Sequence, residues 1–166
     1  MPKFVLDLQT PEATREFSSL DEFTRGYIEA AFFTECETGT LQKPGRGDHM
    51  RKWNPETDSG LPGDVGFANL SEKTLARMVA DCREFQKKAG GILESAYIAS
   101  HNNSKLYPNC NDAYAGHDFW LTRNGHGAGF WDGDWPKPYG TQLTKAAKAF
   151  GSVSLYLGDN GKIYAM

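Results

Sequence analysis

Residues 115–132 read Ala-Gly-His-Asp-Phe-Trp-Leu-Thr-Arg-Asn-Gly-His-Gly-Ala-Gly-Phe-Trp-Asp. Two histidines, two aspartates, an arginine, two tryptophans and four glycines share eighteen positions. Groups that titrate, coordinate or stack are rarely so dense without a special backbone path or a binding site. Asn124-Gly125 is a strong hairpin-turn signal, because both residues tolerate positive φ. Alternation on either side predicts strands over 117–123 and 128–132. In that register Trp120 faces Trp131 and Phe119 faces Asp132, and a cross-strand aromatic pair adds up to about 1 kcal/mol. The hairpin places His117 and His126 at opposite ends.

Outward from this segment, Gly-Asp-Trp-Pro-Lys-Pro-Tyr-Gly over 133–140 is a turn. Thr141 is the expected cap of a helix carrying Leu143, Ala146, Ala147 and Phe150, closed by Gly151. Alternation at Val153, Leu155 and Leu157, then Asp159-Asn160-Gly161, predicts a second hairpin. Toward the N-terminus, Ser71 caps a helix whose stripe is Leu75, Met78, Val79, Cys82 and Phe85. Gly90-Gly91 is expected to end or kink it, with Ile92, Leu93, Ala96 and Tyr97 in a shorter helix. A further helix is expected from Ser19 to about Thr38-Gly39, carrying Leu20, Phe23, Tyr27, Ala31 and Phe32. Residues 3–8 suggest a short strand or arm, interrupted at Thr10-Pro11. The expected fold is one α+β domain over 1–166, a small antiparallel sheet from two C-terminal hairpins packed against two to four helices.

Residues 39–69, rich in Gly and Pro and without a period, form a long insertion loop, a length uncommon unless functional or disordered. Lys43, Arg46, Arg51 and Lys52 surround His49 and Trp53 there. Arg46, Arg51, Lys52 and Trp53, with Trp135, are the candidate protein-contact residues.

The chain has 166 residues, a net charge of −3 and 13% aromatic residues. A slightly acidic chain argues against direct nucleic-acid binding and against a membrane surface as partner. No apolar run reaches membrane-spanning length, and the start lacks the pattern of a secretory leader. Cys36, Cys82 and Cys110 lack any C-x-x-C spacing and read as reduced thiols. High aromatic content fits either a bulky core or a recognition face.

The candidate ligand-binding residues are His117, Asp118, Arg123, His126 and Asp132. Arg123 could pair with a phosphate or carboxylate while a tryptophan stacks on a base. Asp118, Asp132 and Asp134 could share a proton for acid–base work, although Asp-Gly-Asp is also ordinary turn composition. The separated histidines argue against a metal, and neither H-E-x-x-H nor a P-loop is present. No cofactor and no catalytic residue is assigned.

Residues 115–132, with Leu-Thr-Lys-Ala-Ala-Lys-Ala-Phe-Gly at 143–151 and Leu-Tyr-Leu-Gly-Asp-Asn-Gly-Lys-Ile-Tyr at 155–164, resemble a family of small tailed-phage accessory proteins. The resemblance covers about a third of the chain, is looser over 27–33 and 78–85, and carries no known activity. It implies expression in the cytoplasm of an infected bacterium. In that setting the expected role is stoichiometric binding to a host protein, including inhibition of an antiviral defence complex in the manner of an anti-CRISPR protein, rather than enzymatic turnover. The alternative is a small-ligand or nucleotide-binding protein, or an enzyme, with its site at 115–134.

Overall fold

The computed structural model describes residues 6–36, 61–62 and 64–166. Within these, five helices precede one short hairpin. Helix α1 spans Pro11–Ser19, α2 Glu22–Glu35, α3 Glu72–Asn102, α4 Asp112–Arg123 and α5 Tyr139–Lys148. Strands β1 (Leu155–Leu157) and β2 (Ile163–Ala165) pair antiparallel, with Tyr156 opposite Tyr164. The described part is therefore mostly helical with a small two-strand sheet, which is compatible with an α+β class.

Local chemistry sets the helix starts. Thr10-Pro11 does not merely interrupt an arm. Thr10 accepts from the Ala13 amide and Pro11 occupies the first helical turn, where its missing N–H is harmless. This creates α1, and Ser19 closes it instead of opening the next helix. Asp21 caps α2 at the Thr24 amide, 2.7 Å away. That helix ends at Glu35, ahead of the expected Thr38-Gly39. Ser71 caps α3 as the sequence suggests.

Gly90-Gly91 does not break α3. The buried positions Met78, Cys82, Phe85, Ala89, Leu93, Ala96 and Ser100 continue one stripe through it. Each glycine costs about 1 kcal/mol relative to alanine in a helix, and packing on either side offsets that.

The expected hairpin over 117–132 is replaced by α4 and a turn. Asn111 caps α4 at the Tyr114 amide, 2.8 Å away. Asn124-Gly125 then stops the helix instead of turning a hairpin. Gly125 takes φ +69°, its amide donates to the Thr122 carbonyl at 3.2 Å, and the His126 amide donates to the Leu121 carbonyl at 3.0 Å. Those two bonds form the Schellman helix stop, which needs the same left-handed freedom as a hairpin turn. The Trp120–Trp131 pair is accordingly absent: Trp120 is buried and donates to Thr34 Oγ1 at 2.7 Å, while Trp131 is exposed.

The expected start of α5 at Thr141 moves to Tyr139. The second hairpin forms as expected, turning at residues 159–161. It joins the helices where Ile163 bridges Leu70 and accepts from the Ser71 amide. Of the loop over 39–69, the described end carries a Cys36–Leu61 bridge and a 3-10 turn at Phe67–Asn69.

The core centres on α2 crossing α4. A Cβ at Gly26 would overlap the Ala113 carbonyl, and one at Gly116 would overlap the Phe23 carbonyl. The two backbones therefore touch, and the flanking aromatics interlock. Phe119 stacks on Phe85 at 4.2 Å between ring centres, and Tyr27 meets Trp120 edge-on at 5.2 Å. Phe119 also meets Phe150 edge-on at 5.1 Å. Much of the aromatic content is core.

Replacing Gly116 with alanine forces backbone against backbone and should lower stability by about 3 kcal/mol or more. Gly91→Ala meets open space within a helix and should raise stability by roughly 0.5–1 kcal/mol. Urea titrations of both variants check the contrast. Equal effects would show that the helices separate easily.

Candidate functional site

The chemistry-rich residues of α4 and the following turn divide into two groups with different partners. Arg123, on the last turn of α4, is 5% exposed. Its Nε donates to the Gly151 carbonyl at 2.8 Å, and Nη2 donates to the Phe150 carbonyl at 3.2 Å. Nη1 donates to the Tyr27 hydroxyl at 2.9 Å and to Asp81 Oδ2 at 2.8 Å. The guanidinium lies 5.3 Å from the Phe119 ring centre and 5.7 Å from that of Phe150. Arg123 therefore holds α2, α3, α4 and the turn after α5 together, and every nitrogen of its fork is engaged. The expectation that it reaches a ligand phosphate or carboxylate fails on this geometry.

Asp118 anchors the second group and is 1% exposed. Its Oδ2 accepts from Trp135 Nε1 at 2.6 Å. Its Oδ1 lies 3.5 Å from His117 Nδ1, an electrostatic contact rather than a hydrogen bond. Burial raises the Asp118 pKa, against lowering contributions from His117 and Trp135, and Asp132 adds to the rise. The Nδ1 of His117 is buried, yet its side chain as a whole is 36% exposed. The imidazole stacks against Tyr114, 6.0 Å between ring centres.

The turn after α4 wraps this group. Asp132 accepts from the Gly129 amide at 3.2 Å and from the Asp134 amide at 3.1 Å, so its carboxylate holds the turn together. Tyr114 donates its hydroxyl to Asp134 Oδ2 at 3.2 Å. The Cys110 thiol lies 3.3 Å from the Asp134 carbonyl, and burial pushes its pKa up to about 11. A thiol held that high is not an activated nucleophile at neutral pH.

His126 lies beyond the helix stop, where its Nε2 is buried with no partner among the described residues. Burial lowers its pKa. Only His117, Asp118 and Asp132 of the five candidate ligand residues share a neighbourhood. Trp135 was expected at a protein interface but is 2% exposed, packed edge-on against Phe130 and bonded to Asp118. Arg46, Arg51, Lys52 and Trp53 lie outside the described residues.

The exposed aromatic of this region is Trp131, at 52%. The sequence places it inside a strand pair and gives no sign of Tyr114, whereas Asp134, a candidate for a shared proton, accepts from the Tyr114 hydroxyl. Among the described residues, no group of three or more His, Cys, Asp and Glu is gathered to hold a metal ion, and no helix is long and apolar enough to cross a membrane. No protein family, curated protein or solved structure matches the chain.

Two predictions follow the two groups. Arg123→Lys keeps the charge and loses the fork, so stability should drop by about 2–3 kcal/mol in chemical denaturation. A loss below half a kilocalorie would show the fork to be dispensable. Asp118→Asn keeps an acceptor for Trp135 and removes the titration. Because the folded pKa is raised, stability from Asp118 is full below its ordinary value of 3.8 and is lost as pH rises through the folded value. Melting temperatures from about pH 3 to about pH 7 should therefore move in favour of Asp118→Asn as pH increases. A difference that is flat with pH would contradict the raised pKa.

Proposed function

We propose that this chain is a phage accessory protein that acts by stoichiometric binding to a host protein, with a bacterial antiviral defence complex as the target class. The resemblance of residues 115–132, 143–151 and 155–164 to phage accessory proteins supplies the setting, the cytoplasm of an infected bacterium. The observation that carries the binding role is Trp131. Among the described residues, Trp120 and Trp135 are buried and hydrogen-bonded, while Trp131 stands 52% exposed on a turn fixed by Asp132. An indole held out on an ordered turn suits a contact anchor, since tryptophan is enriched among the few residues that dominate interfaces. The exposed carboxylates of Asp132 and Asp134 beside it favour a partner pocket with an apolar floor and a basic rim.

A second reading rests on His117. A half-exposed imidazole whose buried nitrogen faces a buried carboxylate has the arrangement of a positioned base or ligand-binding histidine. That version of the small-ligand or enzyme alternative uses His117 and Asp118 without Arg123 or His126.

The two readings separate by experiment. Full-length protein mixed with host lysate should yield a complex of fixed stoichiometry by size-exclusion chromatography and mass spectrometry. Trp131→Ala should weaken that complex by tenfold or more with little change in melting temperature, and His117→Asn should leave it near wild type. Failure to capture any host protein, or substrate turnover abolished by His117→Asn, would overturn the binding reading.

A further inference from the structure

A cleft of about 330 Å³ opens between α1, α2 and the start of α4, away from the residues singled out in the sequence. Phe17 and Ala113 supply apolar wall, and Asn111 lies at the α4 side. Along α2, the cleft is lined by Glu22, Arg25 and Glu29. Their spacing places both glutamates within reach of the arginine on one helix face.

Arg25 is the unusual member. Its Nε is buried and has no hydrogen-bond partner among the described residues, and no ion pair there closes on its guanidinium. Asp21 feels its charge, but the Asp21 oxygens are engaged by the Thr24 amide at 2.7 Å and by Gln86 Nε2 at 3.2 Å. Buried donors in folded proteins are nearly always paired, and an orphan retains its desolvation penalty until an acceptor arrives. The Nε itself is closed off from the cleft, so a ligand there meets the half-buried guanidinium at its two terminal nitrogens, which are neither buried nor hydrogen-bonded among the described residues. Asn111 uses Oδ1 to cap the Tyr114 amide, which leaves its amide NH₂ to donate.

We infer that the cleft binds a free α-amino acid with an apolar side chain. The carboxylate pairs with Arg25, where a guanidinium fork matches two oxygens. The ammonium is drawn to Glu22 or Glu29, both exposed and both on the same helix face. The side chain lies against Phe17 and Ala113. A simple anion suits the cleft less well, because two carboxylates flank the arginine. A simple cation suits it less well, because Arg25 lies between them.

The test uses the full chain with leucine and phenylalanine as probes, monitored by calorimetry and by amide shifts. Two analogues of leucine divide the interaction: its amide lacks the carboxylate and 4-methylpentanoic acid lacks the ammonium. Binding is expected at about 1 mM or tighter for at least one amino acid, with both analogues weaker. Arg25→Gln should weaken the amino acid by tenfold or more. Glu29→Gln, an exposed change that keeps the fold if Arg25→Gln does not, should weaken the amino acid while sparing 4-methylpentanoic acid. Trp131→Ala should leave amino-acid binding intact, so this inference and host-protein binding fail independently. No response to either amino acid, affinity unchanged in both cleft variants, or equal binding of the analogues would overturn it.

Discussion

Backbone contact between α2 and α4 is the constraint on which the rest of the described structure depends. Gly26 and Gly116 let two helices far apart in sequence approach until each glycine faces a carbonyl of the other helix. Only at that separation can Phe23 and Tyr27 interleave with Phe119 and Trp120. The same approach carries the Tyr27 hydroxyl to Arg123. Alanines at 30, 31 and 115 continue the small-residue surface on either side. Larger residues would push the helices apart and leave an aromatic core with gaps, which close packing penalises steeply.

The buried polar residues follow from that geometry. Arg123 and Asp118 are five positions apart on α4, both buried, and neither is free. Arg123 meets two carbonyls, a hydroxyl and a carboxylate, and Asp118 meets an indole N–H and the edge of an imidazole. Buried ionic groups with complete partner sets add little net stability over apolar packing. Removing one partner from such a set is severe. The surface features nearest these buried groups are the Trp131 indole and the outer part of the His117 ring, and the cleft beside Arg25 lies apart from them.

Several elements were legible in the sequence because their signals were local. Ser71 ahead of the Met78–Cys82–Phe85 stripe specifies a capped amphipathic helix, and Asp159-Asn160-Gly161 between alternating residues specifies the closing hairpin. The dense segment was not legible, for two physical reasons. Residues 118–123 are all buried, so α4 shows no polar face and its period is masked. Asn-Gly supplies positive φ to a hairpin turn and to a helix stop alike, and only tertiary contacts decide between them. Trp131 and Trp135 exchange their expected environments for a similar reason. The Asp118 carboxylate draws the Trp135 indole inward, and nothing near either tryptophan in the sequence announces that partner. The Arg25 cleft gave no signal, since its lining comes from three helices.

Arg123 has one further consequence, for how the molecule comes apart. The turn at Phe150-Gly151 is peripheral, and peripheral turns usually fray with small opening free energies. Here two of its carbonyls are acceptors for a buried guanidinium whose other bonds reach α2 and α3. Opening the turn alone removes two of the guanidinium's four acceptors and the Phe150 ring beside it, leaving the Tyr27 hydroxyl and the Asp81 carboxylate to hold it. The ends of α4 and α5 are thereby tied to α2 and α3 through one side chain, and their amides are expected to exchange with solvent together.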